Sequence, residues 1–214
     1  MTDTKFPFKK DSNMNYEKIY SELFATGHYS EPAPRKATYY IKYNVFDKIP
    51  VNGRIIDIGS GAGLGLDEIL VRTSKDKVLT CDLHKFHSYD VPFEKIDLSK
   101  PDTYRHLLSK YERFDHLICF DVMEHLEEEY TDDILKFMSE ITNTASLAIC
   151  KNPDFQRGEQ LHLNVKPHKW WTDHIAQYFQ ILEDKEWEPN SPKDIRPIGK
   201  CEQYAMSVFY LKSR

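Results

Sequence analysis

Short apolar runs alternate along most of the chain with segments whose apolar residues recur at helical spacing. The apolar runs predict strands at 54–58, 77–82, 93–97, 114–120 and 145–151. The periodic segments predict helices at 64–72, 101–111, 130–142 and 168–178. Alternation of this kind is typical of an α/β fold, in which helices cover both faces of a mostly parallel sheet.

The two ends of the chain depart from this alternation. Residues 14–25 carry one helical stripe of apolar side chains, and Pro34 opens a second predicted helix that ends near Ile49. After residue 178, the runs FQILEDKEW and EQYAMSVFYLK have no helix between them, which predicts an antiparallel hairpin. We therefore expect a doubly wound, seven-stranded, mostly parallel sheet with a terminal antiparallel hairpin. It would form one globular unit at 51–214, preceded by a helical lid or substrate segment at 1–50.

Composition indicates the size and cellular location of the protein more clearly than its chemistry. The chain has 214 residues, of which 40% are apolar, enough for one domain with a sizeable core. No apolar run is long enough to cross a bilayer, and no signal peptide is recognisable, so we expect no membrane partner. The four cysteines are scattered, without a CxxC motif, which favours a reducing cytoplasmic location. The net charge of −5 argues against a nucleic-acid partner.

The stretch RIIDIGSGAGLGLDEIL, residues 54–70, places four glycines between a predicted strand and a predicted helix. Such a turn lets a ligand approach the main chain, at the edge of the sheet where α/β proteins bind ligands. The dinucleotide pattern G-x-G-x-x-G fails, because its third glycine would fall on Leu64 or Leu66. The P-loop pattern fails as well, because no lysine follows these glycines. What remains is D-x-G-x-G-x-G, beginning at Asp57.

In this form the sequence resembles the class I S-adenosylmethionine-dependent methyltransferases over residues 54–151. DIGSGAG resembles the first motif of that family, and VLTCDL contains Asp82, 25 residues after Asp57. KIDLS supplies Asp97 at the third strand, and FDHLICFDVMEHL resembles the motif of the fourth strand. The resemblance implies the Rossmann-like methyltransferase fold, S-adenosylmethionine as cofactor and methyl transfer as the activity.

The resemblance also implies which residues hold the cofactor. The glycine turn would receive the methionine portion, with Asp57 near its ammonium group, and Asp82 would accept hydrogen bonds from the ribose hydroxyls. Asp97 and the amide of Leu98 would bind the adenine, while Phe120 or Val122 would flank it. The complete predicted set is Asp57, Gly59, Ser60, Gly61, Gly63, Asp82, Leu83, Asp97, Leu98, Phe120, Asp121 and Val122.

The residues after the fourth strand are the candidates for chemistry. Transfer to oxygen benefits from a base or a metal near the acceptor hydroxyl, and Glu124, His125 and the later His162 offer either. Related O-methyltransferases hold a divalent cation in an acid-x-x-Glu-His segment, which Asp121, Glu124 and His125 match in spacing. The same segment orders a loop in metal-free relatives, so three roles stay open, with a metal the least favoured.

The segment QLHLNVKPHKWWTDHIAQYF would cross the mouth of the pocket and contact the acceptor. Asn164 alternates with apolar neighbours, and Trp170 and Trp171 could stack an acceptor or anchor the helix in the core. Tyr29 and Arg35 could reach the acceptor from the lid. We expect a small polar acceptor, such as a sugar or other metabolite, methylated on oxygen. The alternatives are a metal-assisted 2′-O-methyltransferase acting on RNA or a nucleotide, and a non-catalytic module that binds the cofactor.

Overall fold

A computed structural model describes residues 16–26, 45–63, 65–156, 159–187 and 205–214. The strands are β1 Ile55–Ile58, β2 Val78–Asp82, β3 Phe93–Lys95, β4 Phe114–Phe120, β5 Thr142–Cys150, β6 Phe155–Gln156, β7 Glu159–Gln160, β8 Phe179–Trp187 and β9 Met206–Ser213. The α-helices are α1 Tyr16–Ala25, α2 Leu66–Leu70, α3 Leu107–Lys110, α4 Thr131–Ile141 and α5 His168–Ile175.

Seven strands form one sheet in the order β3-β2-β1-β4-β5-β9-β8, and β6 and β7 form a separate two-stranded ribbon. Strands β1 to β5 pair in parallel, whereas β9 is antiparallel to both β5 and β8. The predicted fold class is thereby confirmed. The strand order reverses between β1 and β4, and this switch point is where open α/β sheets leave a crevice for a ligand.

Apolar clusters cover both faces of this sheet, which explains why the residues of the central strands β1, β2 and β4 are mostly buried. On β4, Leu117 and Cys119 point into a cluster with α4 and α5, whereas Ile118 points into a cluster with Phe46 and α2. The predicted stripe of α4 is buried, and Asp132 and Asp133 occupy its first turn, where the helix dipole favours acids. The sheet therefore supports the candidate site, which lies at the edge formed by the carboxyl ends of the parallel strands, hereafter the carboxyl edge.

The predicted helix at 101–111 is the one that departs most from its sequence pattern. The segment 101–111 forms a 3₁₀ turn at Pro101–Thr103 and then α3, with a break at Tyr104. Tyr104 is fully buried and its ring lies 4.7 Å from that of Phe137. Burying this side chain against α4 requires an extended φ of −125° at Tyr104, which a continuous helix would not allow.

The N-terminal region is described in two pieces. Helix α1 matches the predicted helix at 14–25, and a 3₁₀ turn at Phe46–Lys48 packs into the cluster around Ile55. The rest of the predicted second helix, with Tyr29 and Arg35, lies outside the described residues. The division of the chain at residue 50 stays a prediction. Within the described ranges, no helix is long and apolar enough to cross a membrane.

Candidate cofactor and catalytic site

The glycine turn after β1 uses backbone conformations and space that other residues lack. Gly59, Gly61 and Gly63 have φ angles of +76°, +49° and +78°. The amide of Gly59 donates to the carbonyl of Cys81 at 2.8 Å, which ties the turn to β2. A Cβ atom on Gly59 would lie 2.2 Å from Cγ2 of Val122. Bare main chain is therefore required where the ends of β1 and β4 meet.

Two carboxylates flank this turn, of which Asp57 is buried and Asp82 is half-buried. Asp57 is only 7% exposed, and its burial, followed by the negative charge of Asp82, raises its pKa to about 7. The carboxylate of Asp82 accepts hydrogen bonds from the amides of Gly61 at 2.8 Å and Leu83 at 2.7 Å. Burial raises the pKa of Asp82, and these two amides oppose that rise. Among the described residues none forms an ion pair with either acid, and His84 acts on Asp82 only through its charge, which lowers the pKa of that carboxyl, so this corner of the site favours a cation.

The hydroxyl of Ser60, within the same turn, is buried and has no hydrogen-bond partner among the described residues. A buried hydroxyl in that condition costs free energy unless a ligand or water satisfies it. The turn therefore combines an unsatisfied hydroxyl, a main-chain cradle at Gly59 and two acids. A ligand with a cationic group and hydroxyls fits this set of donors and acceptors.

Asp97 and Leu98 follow β3, and their side chains already have partners. The carboxylate of Asp97 accepts from the amide of Ser99 at 3.0 Å and from its hydroxyl at 2.6 Å, and pairs with Lys100. Burial raises the pKa of Asp97, but these hydrogen bonds outweigh burial and leave it lowered. Leu98 is buried in the core. The predicted adenine contacts of this pair stay predictions.

The chain leaves β4 through an unusual conformation. Asp121 has a φ of +53° although it is not a glycine, and its amide donates to the carbonyl of Ala148 at 2.9 Å. Left-handed backbone of this kind costs free energy and is concentrated at functional sites. It turns Val122 toward Gly59, while Phe120 packs edge-on against Phe46, with ring centroids 6.1 Å apart. The predicted cofactor residues of β4 thus surround the switch point.

Glu124 orders the segment that follows β5. Its side chain is fully buried, and Oε1 accepts from the amide of Cys150 at 3.2 Å. Its main-chain carbonyl accepts from the amides of Leu163 at 2.7 Å and Asn164 at 2.9 Å. Glu124 therefore holds backbone after β5, whereas the motif predicted ordering of the loop after the fourth strand. These contacts also fix residues 161–164 beside the end of β4.

His125 and His162 meet beside Glu124. Their rings are edge to face, with centroids 4.5 Å apart. Nδ1 of His162 bonds to the carbonyl of Asn152, and Nδ1 of His125 lies 3.1 Å from the carbonyl of Leu161. Because a carbonyl only accepts, these two contacts are hydrogen bonds when Nδ1 carries the proton, which leaves the lone pair on Nε2. Ligand atoms of Glu124, His125 and His162 lie within 4.8 Å of one another, a group from which Asp121 is absent.

The predicted acceptor residues after β5 lie deeper than a pocket mouth would require. Trp171 is fully buried in the core, and Trp170 packs on His174, with ring centroids 3.9 Å apart. Asn164 is fully buried, and its amide donates to the hydroxyl of Thr131 at 3.0 Å. The contacts of Trp171 are those of a helix anchor, one of the two roles predicted for the pair. Contact of any of these residues with an acceptor stays a prediction.

Helix α1 brings side chains to the site that the motifs did not identify. The hydroxyl of Tyr20 lies 2.7 Å from Nδ1 of His125. Phe24 stacks on Phe86, with ring centroids 3.7 Å apart, and its Cζ lies 3.5 Å from the position of a Cβ on Gly61. The only signal for these contacts was the aromatic stripe of α1. No local pattern reports a contact across 105 residues of sequence.

Comparisons with known proteins agree with this geometry at the level of the fold. Neither protein-family models nor curated proteins give a match. Among solved structures, a methyltransferase of Anabaena variabilis described as S-adenosylmethionine-dependent has a TM-score of 0.62 at 10% identity, covering 94% of this chain and 96% of its own. The N-methyltransferase NodS of Bradyrhizobium japonicum, in complex with S-adenosylhomocysteine, has a TM-score of 0.60 at 10% identity, covering 94% and 99%.

A third structure, an S-adenosylmethionine-dependent methyltransferase from Mesorhizobium loti, has a TM-score of 0.56 at 12% identity, covering 81% of this chain and 96% of its own. The chain therefore has the fold of the class I S-adenosylmethionine-dependent methyltransferases. The resemblance seen in its motifs is confirmed at that level.

Proposed function

We propose that this protein transfers the methyl group of S-adenosylmethionine to an oxygen of a small polar acceptor, such as a sugar or another metabolite. One observation carries the proposal: a glycine turn with positive φ angles lies between the buried carboxylate of Asp57 and the half-buried carboxylate of Asp82, and neither acid forms an ion pair with a described residue. The negative net charge of −5 favours a small acceptor over a nucleic acid. The buried, unbridged cysteines Cys81, Cys119 and Cys150 favour the cytoplasm.

The residues present suit this cofactor. The ammonium group of its methionine portion would compensate the charge of Asp57, and its ribose hydroxyls would donate to Asp82. The main chain at Gly59 would admit the ligand without a steric clash, and Ser60 would gain a hydrogen-bond partner. When bound, the cofactor supplies a methyl group that its sulfonium centre has already activated. The protein has to hold the acceptor about 3 Å away and in line with that methyl group.

His125 and His162 are the groups best placed to prepare an acceptor oxygen. Each ring has its Nδ1 proton committed to a carbonyl, so Nε2 is the nitrogen with basic character. A base of this type removes the hydroxyl proton as the oxygen attacks. Glu124 supports the pair by holding the backbone of residues 161–164 in place.

Replacing His125 by alanine is expected to lower the rate of methyl transfer about 100-fold or more, because a positioned base contributes that much. The assay follows S-adenosylhomocysteine formed from S-adenosylmethionine with a panel of sugars, polyols and phenols. Titration calorimetry on the same samples should give an unchanged affinity for S-adenosylmethionine. His106→Ala is a matched control, since His106 is a surface histidine near Glu94.

The outcomes separate the alternatives predicted from the sequence. Tight cofactor binding with no product from any acceptor would favour a non-catalytic module. Product methylated on nitrogen or carbon would contradict the assignment of oxygen. Absence of cofactor binding would overturn the whole proposal.

A metal-assisted reaction is a second candidate, and the group formed by Glu124, His125 and His162 favours it. One carboxylate and two imidazoles suit several first-row divalent cations, and both histidines have the carbonyl partners that usually orient metal ligands. These three residues would hold the ion, which would acidify an acceptor hydroxyl, as in the predicted 2′-O-methyltransferase alternative. Asp121 is not required for this ligand set.

Chelation tests this candidate. If a metal is essential, dialysis against EDTA should abolish methyl transfer, and Mn²⁺ or Zn²⁺ should restore it and raise the melting temperature. His162→Ala should lose the thermal shift, whereas the surface control His106→Ala should keep it. Full activity after chelation, with no thermal shift in the wild type, would assign the histidines to base catalysis alone.

A further inference from the structure

Helix α1 spans the carboxyl edge of the sheet and contacts three of its loops with three kinds of interaction. Oε1 of Glu17 lies 2.8 Å from both Nζ of Lys95 and Nε2 of His84. One turn later Tyr20 reaches His125, and at the end of the helix Phe24 stacks on Phe86. Leu23, on the same helix, is 2% exposed and anchors it. Docking of α1 is therefore a single event that also determines what surrounds His125.

Tyr20 contacts His125 through its phenol hydroxyl. Among the described residues, Nδ1 of His125 faces Tyr20 Oη at 2.7 Å and the Leu161 carbonyl at 3.1 Å. Both contacts are hydrogen bonds only when Nδ1 carries the proton and donates it to the two oxygens; in the other tautomer the phenol would donate to Nδ1 and the carbonyl would lose this donor. One oxygen belongs to α1 and the other to the segment after β5, so both parts of the chain hold the imidazole ring in place. They also stabilise the tautomer whose lone pair is on Nε2.

We propose that Tyr20 is a positioning residue, and that docking of α1 fixes the orientation and tautomer of His125. This inference rests on the proposed function, in which His125 prepares the acceptor oxygen. The same helix places Phe24 next to Gly61, at the cofactor turn. Covering the turn and completing the catalytic histidine are thus one conformational step. Histidine chemistry then proceeds only in the closed site, where water is excluded.

The test uses the full chain labelled with ¹⁵N-histidine, studied by long-range ¹H–¹⁵N spectra at pH 8, where an ordinary imidazole is neutral. His125→Gln identifies the signals of residue 125. In the wild type these signals should be those of the Nδ1-protonated tautomer. In Tyr20→Phe the ratio of the Nδ1-protonated to the Nε2-protonated form of His125 should fall about 3- to 10-fold, because one hydrogen bond is lost. Tyr111→Phe is the matched control, because it removes a phenol bonded to Glu94.

A second variant tests the link to docking. Phe24→Ala removes the stacking on Phe86 and keeps the Tyr20 hydroxyl, so it should move the signals of His125 in the same direction as Tyr20→Phe. In the methyltransfer assay, Tyr20→Phe should lower kcat about 3- to 10-fold without changing cofactor affinity.

Unchanged His125 signals in Tyr20→Phe would overturn the positioning role. A change in Tyr20→Phe but not in Phe24→Ala would overturn the coupling to docking. The spectra need neither cofactor nor acceptor. Failure of the proposed function would therefore leave these signals as expected, whereas failure of this inference would leave methyl transfer intact.

Discussion

Gly59→Ala is expected to lower the free energy of unfolding by about 2 to 5 kcal/mol, a large fraction of the stability of a typical domain. Two effects add. Alanine at a φ of +76° is strained, and its Cβ would lie 2.2 Å from Cγ2 of Val122. Urea unfolding followed by circular dichroism measures the change. Binding of S-adenosylmethionine should be lost as well, because the new methyl group enters the main-chain cradle.

Gly65→Ala is the matched control for Gly59→Ala, since it makes the same substitution in the same turn. Gly65 has a helical φ of −89°, and a Cβ there would lie 3.4 Å from Phe46. The free energy of unfolding of the Gly65→Ala variant should differ from that of the wild type by less than about 1 kcal/mol. Combining Gly59→Ala with Val122→Ala should recover part of the loss, because the clash is relieved while the strain stays. Equal stability of the Gly59 and Gly65 variants would refute the account of the turn.

Asp57→Asn is expected to have opposite effects on stability and on cofactor binding. The pKa of Asp57 is about 7 in the folded protein against an ordinary 3.8, because burial and the charge of Asp82 oppose ionisation. The folded state therefore keeps a proton that the unfolded state releases, and stability falls as pH rises from about 4 to about 7. That loss amounts to as much as about 4 kcal/mol above pH 7. Asparagine cannot ionise, so the variant should be the more stable protein at pH 8.

The same substitution should weaken cofactor binding, although it stabilises the fold. An ammonium group favours the carboxylate of Asp57, so Asp57→Asn should weaken the affinity for S-adenosylmethionine about 100- to 1,000-fold. In the wild type, binding at pH 6 should release a proton, which calorimetry in two buffers of different ionisation enthalpy detects. Asp90→Asn is the control, because Asp90 pairs with Lys75 at the surface. If Asp57→Asn loses stability at pH 8 and keeps its affinity, Asp57 does not face the cofactor.

The sequence predicted the central strands closely because β1, β2 and β4 carry apolar residues toward both faces, as a sheet covered on two sides requires. It overestimated the helix at 101–111, because the burial of Tyr104 depends on Phe137, which is distant in sequence. Glycine spacing was informative about the turn, since positive φ angles leave few alternatives to glycine. The sequence did not indicate the conformation of Asp121. Its φ is +53° in the structure, but aspartate also adopts ordinary backbone conformations, so its presence predicts nothing about φ.

The candidate catalytic region was predictable in most of its residues but not in its contacts. The motif and its resemblance offered Asp121, Glu124, His125 and His162 as a possible group, and the structure brings the last three together without Asp121. Their tautomers depend on the main-chain carbonyls of Asn152 and Leu161, which have no sequence signature. The contribution of Tyr20 depends on how α1 docks, and docking is a property of the folded surface.

The position of β9 affects the order in which the chain can fold. β9 lies between β5 and β8, although it follows β8 in sequence. Until Met206–Ser213 has been synthesised, β5 exposes unpaired backbone groups and β8 cannot join the sheet. An apolar edge of this kind is a template for aggregation. The sheet is therefore completed only when Met206–Ser213 pairs with both β5 and β8, after every other strand has been made.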